Sequence, residues 1–270
     1  MARSTEEVPP LRAARSGRDD GRCQVTTDQI IFGLAVFLLA GTVKGLVGLG
    51  LPTIVIALTT LVLPLTEAIA MIALPTIFSN VWQAAVGGNF WKILRRQWPL
   101  MVPLAIGLYL TMWLVGQKGP NWAFIVLATI LVVYSALGLL RIRLHIHADL
   151  EKPLAPVIGV VSGFVAGVVG VPIIPLMPYL QGLDVKPSEL VQTLGVVLCA
   201  TSLTLTLSLL NFGLLDGPRA IVSAAAVVPA LAGMWAGQRI RQRLSVEQFR
   251  LAVFWALLLT GLYTFASRVL

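Results

Sequence analysis

Lys44 is the residue whose position in this chain most directly indicates chemistry, because it is a charged side chain inside a long apolar stretch. Residues 29–66 contain no other charged group, and 68–91 contain none. A lysine in the middle of a membrane costs roughly 2.5–3.5 kcal/mol on insertion scales, so it is a functional candidate by default. The alternative is a lysine that extends from a short helix to the membrane interface.

Two clusters of glycine and proline predict breaks in the helices that contain them. A broken helix inside a bilayer usually lines a site, and its exposed N–H groups beside a lysine favour an anion. The alternative is that the glycines serve close helix packing and the prolines only kink the helices. The clusters are Gly41, Gly45, Gly48, Gly50 and Pro52, and then Gly163, Gly167, Gly170 and Pro172.

The two clusters belong to an internal repeat. Gly163 follows Gly41 by 163 − 41 = 122 residues, and the same offset aligns the next two glycines of each cluster without gaps. It also aligns Thr66-Glu67 with Ser188-Glu189, and Ser79-Asn80 with Thr201-Ser202. Small residues at this spacing are common in membrane helices, but the gapless agreement predicts a duplication. Ala166 stands where the second copy would repeat Lys44, so the predicted anion site is asymmetric.

Polar residues within one helical turn form stripes on two equivalent elements. Ser79, Asn80 and Gln83 lie on the second element, and Gln192 and Thr193 on its repeat partner. They contact a substrate or form hydrogen bonds between helices, which is the more common use. The predicted substrate-binding residues are Lys44, Gly45, Gly48, Gly50, Pro52, Thr53, Ser79, Asn80, Gln83, Gly167, Gly170, Pro172, Gln192 and Thr193.

Other residue types point away from catalysis. Glu67 and Glu189 follow Thr66 and Ser188 at predicted helix starts, which is typical of N-terminal capping. No carboxylate lies within a predicted span, and the pair of histidines at 145 and 147 is typical of a solvated linker. The two cysteines give no disulfide framework or metal spacing. Since there is no nucleotide-binding loop, H-E-x-x-H or G-x-S-x-G motif, we predict no enzyme, no metal and no cofactor.

Composition places these residues in a membrane protein. The 270 residues are 57% hydrophobic and 12% charged, with a mean hydropathy of +0.87, and a span needs roughly 20 apolar residues. The net charge is +8, and most of the basic residues lie in short loops between apolar segments. This distribution is typical of residues that orient helices in a membrane and does not indicate binding to nucleic acid. The fold class is an all-α polytopic membrane protein with about eight hydrophobic helical elements, at 29–64, 67–90, 97–117, 121–140, 154–181, 188–212, 218–237 and 250–267.

The basic segments predict how the two halves are oriented. By the positive-inside rule, 92–96, 141–152 and 239–250 are cytoplasmic, whereas 213–219 is not. The broken element 154–181 must therefore enter and leave on one side, as a re-entrant hairpin. The two four-element repeats are then inverted, with both termini outside. The predicted divisions are a disordered polar tail at 1–28, a first repeat at 29–140, a cytoplasmic linker at 141–153 and a second repeat at 154–270.

Three segments resemble the sulfite exporter TauE/SafE family: AGTVKGLVGLGLPTIVIAL at 40–58, LPLTEAIAMIALPTIFSNVWQ at 63–83, and GFVAGVVGVPIIPLMPYLQGL at 163–183. The similarity extends over about 29–268. Many members carry a fuller glycine triplet where this chain has Leu51-Pro52 and Val171-Pro172, so it resembles a divergent subgroup.

The resemblance implies transport of a small sulfur-containing anion, such as sulfite or an organosulfonate, across the bacterial inner membrane. The expected partners are a small anionic solute, a coupling ion and the lipid bilayer, with no nucleic acid. Two alternatives stay open on the same scaffold. One is a passive anion channel, and the other is a membrane scaffold subunit that transports nothing.

Overall fold

The two glycine-proline clusters interrupt the helices of the computed structural model, which describes residues 27–115, 121–140, 146–240 and 246–269. Within these ranges the chain forms ten α-helices and no strand. The predicted tail at 1–28 lies almost wholly outside the described residues, as do 141–145 of the predicted linker. The helices are α1 (Thr27–Val47), α2 (Leu51–Thr59), α3 (Leu65–Ala85), α4 (Phe90–Val115), α5 (Asn121–Leu139), α6 (Ala148–Val169), α7 (Leu176–Gly182), α8 (Pro187–Asn211), α9 (Gly217–Ile240) and α10 (Val246–Val269).

Six of these helices are long and apolar enough to cross a membrane: α3, α4, α5, α6, α8 and α9. Shorter apolar helical segments lie at Ile31–Val47 and Val253–Ala266. The multi-pass, all-helical class predicted from composition is confirmed. Each predicted broken element contains two helices, which are α1 with α2 and α6 with α7.

The first break is made by residues that a helix does not accommodate. Gly48 and Gly50 have φ values of 89° and 108°, a left-handed backbone region that is open to glycine at little cost. The Gly48 N–H still donates to the Lys44 carbonyl at 2.7 Å, and Pro52 lies in the first turn of α2, where its missing N–H has no helical partner to lose. The glycines therefore end α1, and the proline starts α2.

The helices repeat at the offset found in the sequence. Adding 122 to Thr27–Val47 gives 149–169, which coincides with α6, and the other four helices of each half correspond in the same way. The packing also repeats. Helix α1 packs on α9 as α6 packs on α4, and α3 packs on α9 as α8 packs on α4. The equivalent helices α3 and α8 contact each other, as do α5 and α10.

Equivalent helices in the centre of the bundle run antiparallel. Along α3, Ala73, Asn80 and Gln83 form hydrogen bonds with α8 residues of falling number, namely Thr206, Leu198 and Val191. Tyr134 of α5 stacks edge-on against Phe254 of α10, and the α5 residue Ala128 lies beside Gly261. The direction of α5 relative to α10 is therefore also reversed.

Ion pairs identify which helix starts share an end of the bundle. Arg96 pairs with Glu151 at the start of α6 and with Glu189 at the start of α8, at 2.6 and 3.9 Å. The segment between these glutamates therefore begins and ends at the same end. Glu67, at the start of α3, pairs with Arg219 of α9 at 2.6 Å. Because α3 and α8 are antiparallel, this second ion pair lies at the opposite end.

Several predicted boundaries were wrong. The N-cap residues of α3 and α8 are Pro64 and Lys186, without side-chain caps. Thr66 and Ser188 consequently lie inside these helices and do not cap them. Basic residues 92–96 belong to the first turns of α4 and 148–153 to α6, because helices continue beyond their apolar spans when long charged side chains extend away from them.

Candidate functional site

Lys44 lies in the last turn of α1 and is fully buried, with 1% of its surface exposed. Its ammonium donates to the Ser79 hydroxyl oxygen at 3.0 Å and to the Asn80 side-chain carbonyl oxygen. Both partners are neutral, and within the described ranges no carboxylate pairs with Lys44. The expectation that Lys44 extends to an interface does not fit this geometry. A buried cation with only neutral partners is suited to an anionic ligand.

Asn80 is held in place by α8, which fixes the direction of its carbonyl group. Its amide nitrogen donates to the Leu198 carbonyl at 3.0 Å and to the Ser202 hydroxyl at 3.4 Å. The amide oxygen is thereby turned toward Lys44. Ser202 is the repeat equivalent of Asn80, since 80 + 122 = 202, so the Lys44 partners lie where the two halves meet.

Gln83 connects the first break to the second half of the chain. Its amide nitrogen donates to the Gly48 carbonyl and to the Val191 carbonyl, both at 2.8 Å. Gly48 follows the end of α1, so this carbonyl has no helical partner and would be costly if left without a donor. Gln83 therefore supports the broken backbone next to Lys44.

The two breaks meet around one cavity. It contains Lys44 and backbone or side-chain atoms of both interruptions, and it encloses about 20 Å³, which is room for about one water molecule. The site in this state therefore has little room for a larger solute. The lining residues are Lys44, Leu49, Gly50, Pro52, Thr53, Val171, Pro172, Ile173, Met177 and Leu198.

The predicted glycines divide into two structural roles. A Cβ atom added at Gly45 would lie 2.2 Å from the Met234 carbonyl of α9, and one at Gly167 would lie 2.6 Å from Thr111 of α4. These two glycines allow close approach of neighbouring helices. Gly170, by contrast, has a φ of 83° and ends α6 as Gly48 ends α1. Of the predicted glycines, Gly50 lines the cavity.

Comparison with known families agrees with this architecture. A family model for the sulfite exporter TauE/SafE matches residues 33–264, which is most of the chain. The chain belongs to this family. A search of curated proteins and a search of solved structures gave no match. This TauE/SafE protein is therefore a multi-pass membrane protein of a transporter family, as the sequence motifs indicated.

Gln192 and Thr193 lie outside the cavity of this TauE/SafE protein. The Gln192 amide nitrogen donates to the Ala84 carbonyl at 2.9 Å, and its oxygen accepts from the Asn89 N–H at 3.2 Å. Gln192 thus closes the end of α3. The Thr193 hydroxyl donates to the Glu189 carbonyl within α8 at 2.8 Å. For both residues the structure favours hydrogen bonding within the scaffold.

Sequence reasoning missed the apolar wall of the cavity. Leu49, Val171, Ile173, Met177 and Leu198 line it beside the predicted residues. The repeat offset could have indicated one of these residues, because 49 + 122 = 171 makes Val171 the repeat equivalent of Leu49. No signal singled out Leu198, which reaches the cavity only because α8 packs on α3.

The described part of the TauE/SafE protein contains no group of His, Cys, Asp or Glu side chains that could hold a metal ion. His145 lies outside the described residues, and His147 is the N-cap residue of α6. The chemistry available at the cavity is therefore that of an ammonium group, the Thr53 hydroxyl, backbone N–H groups and apolar side chains.

Proposed function

We propose that this TauE/SafE protein is a secondary transporter for a small sulfur-containing anion, such as sulfite or an organosulfonate, in the bacterial inner membrane. The observation that carries the proposal is Lys44. It is a fully buried ammonium with neutral partners, located where two broken helices meet. A scaffold subunit has no need of such a costly group.

The first break supplies the rest of the anion-binding chemistry. An ammonium has three N–H donors, and Ser79 and Asn80 accept two of those on Lys44. The third remains for one oxygen of the anion. The start of α2 adds unpaired N–H groups and the positive end of a helix dipole beside Gly50 and Thr53. In this proposal Ser79, Asn80 and Gln83 set the orientation of the binding groups.

We also propose that the two repeats are inverted in the membrane. Two observations support this. The equivalent helices α3 and α8 run antiparallel, and the segment between Glu151 and Glu189 begins and ends at the same end of the helix bundle. Repeats related by an axis along the membrane normal would keep equivalent helices parallel. Rocking of one repeat against the other would open the cavity to alternate sides.

Transport can be tested in proteoliposomes that contain the purified protein. The vesicles are loaded with the unlabelled anion, labelled sulfite or labelled ethanesulfonate is supplied outside, and saturable counterflow is measured for the wild type, Lys44→Met and Lys186→Met. Lys186 is an exposed lysine, so its variant controls for loss of a positive charge. We expect loss of counterflow in Lys44→Met alone. Equal flux in all three proteins would contradict the proposal, and non-saturable flux would favour a channel.

The orientation is tested by cysteine labelling in intact bacterial cells that express the protein with both native cysteines replaced, by Cys23→Ser and Cys199→Ala. Gly217→Cys, at a position where an added Cβ meets no atom within 4 Å, is expected to react with a membrane-impermeant maleimide added outside the cells. Arg95→Cys, at an exposed position, is expected to react only after the membrane is permeabilised. Reaction of both from outside would contradict the inverted arrangement.

A further inference from the structure

We propose that the Lys44 site selects monovalent anions that have one charged end and one apolar face, and discriminates against dianions of the same size. Organosulfonates and the singly protonated form of sulfite belong to the favoured class, whereas sulfate does not. This inference rests on the proposed function and adds a rule for substrate choice. Three features of the cavity carry it: its charge, its burial and its apolar wall.

The charge of the site is close to a single positive unit. Of the described residues that line the cavity, Lys44 is the only charged one. Ser79 and Asn80 contribute neutral acceptors to Lys44 and no further charge. The start of α2 adds a fraction of a positive charge, about half a unit at most. A monoanion therefore neutralises the ammonium, whereas a dianion leaves an excess negative charge in the membrane interior.

Burial makes this mismatch costly. Lys44 and Thr53 have 1% and 3% of their surface exposed, so an ion at this position is removed from bulk water. The attraction of an ion to the fixed site charge rises in proportion to its own charge. Its Born desolvation penalty rises with the square of that charge. Passing from one negative charge to two thus doubles the gain and quadruples the penalty.

Apart from the Thr53 hydroxyl, the side chains that line the cavity around Lys44 offer no hydrogen-bond donor. Val171, Ile173 and Leu198 are aliphatic, and Met177 presents a thioether. An anion oxygen directed at this wall would lose its water without gaining a donor, which is unfavourable. A methyl or methylene group in the same place would lie in apolar surroundings. Once the cavity widens to admit an anion, its lining therefore favours a sulfonate whose carbon lies against these apolar side chains.

Methanesulfonate and sulfate form the matched pair for the test. Both are tetrahedral sulfur compounds of similar size, and they differ in one methyl group and one charge. Each is added as a competitor of labelled ethanesulfonate counterflow in proteoliposomes of the wild-type protein. Methanesulfonate is expected to inhibit at a concentration roughly tenfold lower than sulfate, or lower still. Equal inhibition by both, in a protein whose transport depends on Lys44, would overturn this inference and leave the proposed function standing.

A variant separates the apolar wall from the charge. Met177→Gln introduces a donor and an acceptor into the apolar lining of the cavity, and it should reduce the preference for methanesulfonate over sulfate. Met112→Gln makes the same change at a buried residue of α4 that does not line the cavity, and it should keep the wild-type ratio. An unchanged ratio in Met177→Gln, in a variant that still transports, would contradict the role of the wall. Transport that is insensitive to Lys44→Met would instead refute the proposed function itself.

Discussion

Asn80→Asp is the substitution that most directly separates anion binding from folding in this protein. The variant places a carboxylate where the Asn80 carbonyl oxygen now accepts from Lys44. The side chain keeps its size, so the packing between α3 and α8 changes little. The ammonium, however, gains a permanent internal counter-ion. We expect the folded protein to persist and the anion site to lose its net positive charge.

The expected magnitude follows from the geometry. Unit charges about 4 Å apart attract by about 4 kcal/mol at an effective dielectric constant of about 20. Against this, the new carboxylate is desolvated at a cost of several kcal/mol, and the bonds from the Asn80 amide nitrogen to Leu198 and Ser202 are lost, at about 1 kcal/mol each. The costs exceed the gain, so the variant should be less stable than the wild type by a few kcal/mol at most. A transported anion must instead compete with the carboxylate for Lys44, and about 4 kcal/mol is roughly a thousandfold loss of affinity.

Two measurements on the same preparation test this prediction. Thermal unfolding in detergent reports stability, and counterflow of labelled ethanesulfonate in proteoliposomes reports binding and transport. Asn211→Asp is the control, because Asn211 is exposed at the end of α8 and contacts Tyr109 away from the cavity. We expect Asn80→Asp to fold with a lowered melting temperature and to lose transport, whereas Asn211→Asp should keep wild-type stability and transport. Wild-type affinity in Asn80→Asp would refute the assignment of Lys44 as the anion-binding charge.

Two further variants test the packing around the site. Gly163→Ala places a Cβ atom 2.2 Å from the Leu104 carbonyl and should lower the free energy of unfolding by about 1–3 kcal/mol through overpacking. Its control is Gly33→Ala, whose added Cβ meets no atom within 4 Å and which should not lower the melting temperature in detergent. Gln83→Leu leaves the Gly48 carbonyl without its donor and should cost about 1–3 kcal/mol, measured by the same assay against the exposed Gln181→Leu. A wild-type melting temperature in either test variant would contradict the corresponding contact.

The sequence predicted the class of the fold and the positions of its interruptions because both depend on local chemistry. Long apolar segments require helices in a membrane, and the glycines at 48, 50 and 170 occupy backbone conformations that suit this residue. It placed the starts of α3 and α8 within two residues but did not predict their caps. Thr66 and Ser188 resemble caps, but Leu65 and Pro187 before them already belong to the helices.

The candidate site was predictable in part for a similar reason. Lys44, Gly50, Pro52, Thr53 and Pro172 carry a local signal, and all of them line the cavity. The apolar wall is set by which helices pack together, and such contacts do not follow from spacing along the chain. The same limit explains Gln192. Its residue type suggested a ligand contact, whereas the approach of α8 to the end of α3 gives it two backbone partners.

The asymmetry of the site follows from where the two halves meet. Asn80 and its repeat equivalent Ser202 are in contact, so the local symmetry relation between the repeats passes beside the partners of Lys44. A lysine at position 166 would extend toward Thr201 and Ser202, as Lys44 extends toward Ser79 and Asn80. Two buried ammonium groups would then lie close together and repel each other without a counter-ion. Ala166, which is fully buried, avoids this repulsion. Under the proposed function, a duplicated scaffold of this kind can therefore hold one such cation for a monovalent anion, and a second would require a second negative charge in the substrate.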